Sequence, residues 1–83
     1  MENKLNSKEL EEEISKLFKE VMGENVQVDI NTKRSDVAEW DSINHLNLIV
    51  ELESRYNLSL SMEEIENLKT VKQVIRLIMD RQT

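Results

Sequence analysis

The sequence predicts an all-α fold, a small four-helix bundle with a long loop between its first and second helices. Three observations predict it. The 83 residues contain one Gly and no Pro, so a strand-and-turn architecture lacks its usual punctuation. Four segments repeat apolar residues at helical intervals, and each opens on a polar residue suited to capping a helix. Between the first two of them, residues 24 to 40 carry no helical period. With no Cys, neither disulfides nor thiolate metal sites contribute, and helix packing must hold a chain near the lower size limit for one core. Residues 1–83 are expected to form one domain with an ordered core over about residues 7–79 and frayed ends at 1–6 and 81–83.

The first helix is expected from Asn6 or Ser7, where Asn6 and Glu9 have capping-box spacing. Leu10, Ile14, Leu17, Phe18 and Val21 form its apolar stripe, and Glu11, Glu12, Glu13, Lys16, Lys19 and Glu20 its solvated face. Gly23 stands just past the last periodic residue, where a left-handed cap is expected. In the loop, Val26, Val28 and Ile30 alternate with polar residues, but one short strand has nothing to pair with. An extended segment laid over the helix ends is the preferred reading. Arg34, Ser35 and Asp36 suit a turn, and Val37, Ala38 and Trp40 are expected to anchor the return.

Asp41 begins the second amphipathic run and is the expected N-cap, which makes Ser42 its first helical residue. At ~100° per residue, Leu48, Ile49, Leu52 and Tyr56 fall on one stripe. Ile43, Leu46 and Val50 fall on a second, roughly 140° away. One core buries one stripe, so the second is expected to face a partner. Ser42 projects between them, with a hydroxyl that capping does not need, beside the positive end of the helix dipole. Asn57 suits the C-terminal cap, and Leu58 and Leu60 turn inward. Ser61-Met62-Glu63-Glu64 opens a short third helix with Met62, Ile65 and Leu68 inward. Thr70-Val71-Lys72-Gln73 opens the last, whose stripe is Val71, Val74, Ile75 and Ile78.

Charge narrows the function. Eleven Lys and Arg against 17 Asp and Glu give −6, which repels phosphate backbones and excludes nucleic acid as an expected partner. The same charge would attract a basic enzyme surface, and it serves equally well simply to keep a small protein soluble. No apolar run reaches the length of a membrane span, so the protein is expected to be cytoplasmic, monomeric and without a membrane partner. An autonomous enzyme needs an acid, base or nucleophile set. His45, the sole His, stands one turn after Ser42, but no nucleophile elbow or Gly-rich oxyanion loop accompanies the pair. His45 is read as filling space near the mouth of the core, with no catalytic residue and no metal site expected.

Trp40-Asp41-Ser42-Ile43, followed by Leu46, Leu48-Ile49-Val50, Leu52-Glu53, Tyr56 and Leu60, resembles the acyl carrier proteins, whose Asp-Ser-Leu motif opens their second helix. The run Glu63-Glu64-Ile65-Glu66-Asn67-Leu68 with Thr70-Val71 and Ile75 is similar to that family's third and fourth helices. The resemblance implies a bundle of the acyl-carrier type and a carrier rather than an enzyme. It implies that Ser42 bears 4′-phosphopantetheine acquired from coenzyme A, and that Asp41 helps hold the metal ion of the phosphopantetheinyl transferase. Cargo would ride as a thioester to acyl-transferring or condensing enzymes, docked through Ile43, Leu46, Asn47 and Val50. Asn44 and Asn47 stand where carriers of general fatty-acid biosynthesis are commonly acidic, Ile43 replaces the usual Leu, and Trp40 precedes the motif. By resemblance, these departures favour a dedicated carrier for lipid, polyketide, peptide or cell-surface saccharide assembly. The alternative is a helical adaptor, never modified, that binds a partner through Ile43, Leu46 and Val50.

Overall fold

A computed structural model describes residues 6–81, and the expected fraying of 1–5 and 82–83 lies outside them. Four helices follow in order: α1 (Ser7–Met22), α2 (Ser42–Tyr56), α3 (Met62–Asn67) and α4 (Val71–Arg81). A 3₁₀ turn at Arg34–Asp36 interrupts the α1–α2 loop, and no strand occurs among the described residues.

Each start is fixed by the cap that the sequence supplies. The Asn6 side chain accepts the Glu9 amide at 2.8 Å while the Asn6 amide donates back to Glu9 at 3.1 Å. Ser61 and Glu64 repeat this pattern on α3, and Thr70 and Gln73 on α4. Asn57 ends α2 in the left-handed region at φ 55°, ψ 51°, as its position predicts. Gly23 ends α1 differently from expectation. Its φ of 119° with ψ of 146° lies outside the left-handed helical region, in extended backbone open to glycine alone. Its amide still closes the last turn onto the Lys19 carbonyl, and its carbonyl accepts the Val26 amide at 3.0 Å, so the chain turns at once as it leaves α1.

The core gathers one stripe from each long helix. Leu10, Ile14, Leu17 and Phe18 from α1 meet Leu48, Ile49 and Leu52 from α2, with Val71, Val74, Ile75 and Ile78 from α4. Helix α1 is the central element, packed against both α2 and α4. Met22, one turn after Phe18, is buried in place of Val21, which is half-buried, and Val26 of the loop joins the same core. The loop is tied down rather than paired as a strand. A single bridge joins Lys33 to Thr70, through the Arg34 amide to the Lys69 carbonyl at 2.7 Å and the Val71 amide to the Thr32 carbonyl at 3.0 Å. The second bond satisfies a donor that the first turn of α4 leaves without an intrahelical acceptor.

Three further expectations are corrected. Ala38 is exposed: the Trp40 amide bonds the Val37 carbonyl at 3.0 Å, and a turn so closed points its two middle residues outward. Met62 is 69% exposed, since α3 meets the core only through its far end, where Ile65 is half-buried and Leu68 buried. Arg81 is not frayed. Its guanidinium donates to the Ser59 carbonyl at 3.0 Å and to the Glu64 carboxylate, fastening α4 to the start of α3. The Ser61 amide first, and then Arg81, hold the Glu64 carboxyl below its ordinary range.

Tyr56 locks α2 onto α1. Its half-buried hydroxyl donates to Glu13 at 2.7 Å; burial first, then the Glu13 carboxylate, push the phenol well above its ordinary value. A raised acid stabilises the fold fully below the unfolded-state value of about 10 and loses that contribution as pH rises past it. Melting temperature is therefore expected to fall above about pH 10, and Tyr56→Phe to flatten part of that fall. Equal alkaline slopes in the two proteins would show that Tyr56 contributes nothing there.

Candidate functional site: the start of α2

Asp41 occupies the N-cap of α2 in extended backbone, and its Oδ1 accepts the Asn44 amide at 2.8 Å. This leaves Ser42 as the first helical residue, exposed, with no hydrogen bond to its hydroxyl among the described residues. Amides of this opening turn lack intrahelical acceptors, which makes the surroundings of Ser42 favourable to an anion. The Asn44 side chain donates to the Glu39 carbonyl at 2.9 Å, and Asn47 donates to Asn44 at 3.2 Å. That short polar ladder fixes the approach to the helix.

Below the cap, the site is held from inside. Trp40 is buried, with its ring edge-on to Phe18 at a centroid distance of 4.8 Å. Its indole N–H donates to His45 Nδ1 at 2.9 Å, and His45 Nε2 lies 2.8 Å from the Ile65 carbonyl. An indole can only donate and a carbonyl can only accept, so the neutral imidazole carries its proton on Nε2. Both ring nitrogens are committed, and His45 is not a base for Ser42. The chain Trp40–His45–Ile65 instead ties the loop, α2 and α3 together under the serine. From outside, Arg34 Nε donates to the Trp40 carbonyl at 3.1 Å. The sequence places His45 near the core mouth but does not disclose these bonds. The available signal is one donor-only ring five residues before one two-faced ring.

His45→Ala is expected to leave the buried indole N–H without a partner and the Ile65 carbonyl with only the longer bond from the Leu68 amide at 3.4 Å, and to cost about 1–3 kcal/mol. Trp40→Phe should lose much of the same energy, and the double variant less than the sum of the two. Thermal melts of the three variants check this. A His45→Ala cost under about 0.5 kcal/mol would mean that the bonds do not hold the site.

Among the described residues, the large exposed apolar side chains are Ile43 at 73%, Leu46 at 56%, Val50 at 62% and Met62. Three of the four lie on α2, on the second stripe. The structure thus brings together Asp41, Ser42, Ile43, Leu46, Asn47 and Val50 on one outward surface. No group of His, Cys, Asp and Glu suited to a metal ion occurs among the described residues.

The family model for the phosphopantetheine attachment site matches residues 12–78, which is most of the chain and includes the whole of α2. The chain belongs to the phosphopantetheine-bearing acyl carrier proteins. It is similar to the solution structure of a holo acyl carrier protein from Geobacter metallireducens, at 29% identity and a TM-score of 0.73, over 86% of this chain and 82% of that one. No curated protein sequence matches it significantly. As an acyl carrier protein it carries rather than catalyses. Its prosthetic group is 4′-phosphopantetheine, and it works with acyl-handling enzymes. An exposed helix-start hydroxyl with favourable anion surroundings fits the phosphate end of that group. No described helix is long and apolar enough to cross a membrane.

Proposed function

We propose that Ser42 is the attachment residue and that this acyl carrier protein serves a dedicated assembly pathway. The observation that carries the first part is the position of Ser42: an exposed, unbonded hydroxyl at the first residue of α2, beside an exposed apolar stripe. Ser7 provides an internal comparison. It too is exposed at the first residue of a capped helix, but it lies outside the matched residues 12–78. None of the large exposed apolar side chains among the described residues is on α1. Ser61 is occupied as the α3 cap, and Ser15 donates to the Val28 carbonyl.

In this reading a transferase brings the metal ion, Asp41 contacts it, and the Ser42 oxygen attacks the pyrophosphate of coenzyme A. A phosphodiester forms, the adenosine bisphosphate leaves, and the serine proton passes to the transferase. The arm supplies a thiol that holds acyl groups as thioesters. Ile43, Leu46, Asn47 and Val50 are the proposed docking surface for the transferase and for acyl-transferring or condensing enzymes. Support for a dedicated pathway comes from the α2 surface. Asn44 and Asn47 are neutral and bonded to each other, Glu51 pairs with Arg55, and Glu53 accepts the Leu60 amide. Beside the apolar stripe that face presents two neutral amides and a carboxylate paired with Arg55, so docking there leans on apolar contact more than on attraction to a basic enzyme. Intact mass after treatment with a transferase and coenzyme A tests the attachment residue. Transfer rates measured with enzymes of general fatty-acid biosynthesis and with those of a dedicated pathway test the second part.

A further inference from the structure

Where the α1–α2 loop meets the α3–α4 link, beside the Lys33–Thr70 bridge, lies a groove of about 520 Å³ lined by Lys33, Arg34, Ser35, Trp40, Lys69 and Thr70. In a chain of net charge −6, this lining holds three cations and no carboxylate. No ion pair among the described residues joins these cations to a carboxylate, and the nearby Asp36 carboxylate accepts the Lys33 backbone amide at 3.2 Å rather than meeting its ammonium. The ion pairs join Arg55 to Glu20 and Glu51, and Arg81 to Glu64. Arg34 uses Nε on the Trp40 carbonyl, and a guanidinium has four further N–H donors. Gathered cations in an open groove favour an anion, above all one that is brought there repeatedly.

Trp40 forms part of the wall and stands two residues before Ser42. Two trans peptide steps of about 3.8 Å keep their Cα atoms within about 7.6 Å. A group tethered to Ser42 therefore meets the groove at high effective concentration, whatever its intrinsic affinity. We propose that the groove binds an anionic group tethered to Ser42, with Lys33, Arg34 and Lys69 as its counter-ions. The proposal rests on the Ser42 assignment. Two sources supply such an anion, the phosphodiester of the arm itself or a carboxylate at the far end of a dicarboxylic acyl cargo. In the second case the groove selects cargo by charge.

The test loads the protein through a transferase with coenzyme A, succinyl-coenzyme A or butyryl-coenzyme A, the two acyl groups having equal carbon number and different charge. Amide shifts of Lys33, Arg34, Ser35, Lys69 and Thr70 are followed by NMR, together with the fluorescence of Trp40, the sole tryptophan. Groove signals are expected to move on loading. They are expected to lose at least half of that movement in 1 M salt, where the Debye length is about 3 Å, and in the double variant Lys33→Gln with Lys69→Gln. Neither lysine side chain is in the core, so the variant keeps the fold. Movement already complete with the bare arm assigns the phosphodiester; movement with succinyl but not butyryl assigns the cargo carboxylate. Equal movement with both acyl groups that survives salt and the double variant overturns the proposal, as does no movement at all. If the protein gains no arm mass, the Ser42 assignment fails by itself. Titration of the unmodified protein with free 4′-phosphopantetheine then decides the groove, with salt-sensitive shifts at the same residues supporting it and their absence overturning it.

Discussion

Leu52→Ala is expected to cost about 2–5 kcal/mol, enough to unfold much of the population of a domain whose total stability is about 5 kcal/mol. Leu52 is fully buried on the inward stripe of α2, between Leu48 and Tyr56 and within the core that α1 and α4 share. Truncation removes the transfer energy of its lost carbons and leaves a cavity that short, capped helices cannot close by sliding. The outward stripe should behave in the opposite way. Leu46→Ser and Val50→Ser change side chains already 56% and 62% exposed, so stability should move by no more than about 0.5 kcal/mol. The loss appears instead in docking, where removal of one apolar anchor weakens transferase binding by about 1–3 kcal/mol. Thermal melts and transferase kinetics on the same three variants separate the stripes. Melts of Leu46→Ser and Val50→Ser as low as that of Leu52→Ala would make both stripes core and remove the proposed docking surface.

That contrast was legible in the sequence because it follows from spacing alone. Helical periodicity assigns each side chain to a face, and a small bundle has core enough for one face of α2. The caps were legible for a similar reason: Asn6, Asp41, Ser61 and Thr70 act within three or four residues of themselves, so their partners are in view along the chain. What escaped depends on contacts distant in sequence. From sequence Arg81 reads as a frayed end because Ser59 and Glu64 are 22 and 17 residues away. Met62 has the right period to face inward, yet period says nothing about where the core stops, and α3 overhangs its edge. Gly23 is legible as a terminator, but its backbone angles answer to the direction the loop must take. At the candidate site, the positions of Asp41 and Ser42 on α2 were readable from local chemistry. The bond from His45 to Ile65, across 20 residues, and the meeting of Lys33 and Arg34 with Lys69 in one groove required the fold.

The central claim, that Ser42 carries the arm, is tested most directly by intact mass after incubation with a phosphopantetheinyl transferase and coenzyme A. The comparison needs three proteins: the unsubstituted chain, Ser42→Ala and Ser7→Ala. Asp41 supplies the cap of α2, so Ser42→Ala should melt within about 0.5 kcal/mol of the parent, and a loss of modification cannot be blamed on unfolding. Ser7→Ala controls for the other exposed serine at a helix start. The parent and Ser7→Ala are expected to gain one phosphopantetheine each, and folded Ser42→Ala none. An arm on Ser42→Ala, or a parent that stays unmodified with several transferases while remaining folded, would contradict the assignment.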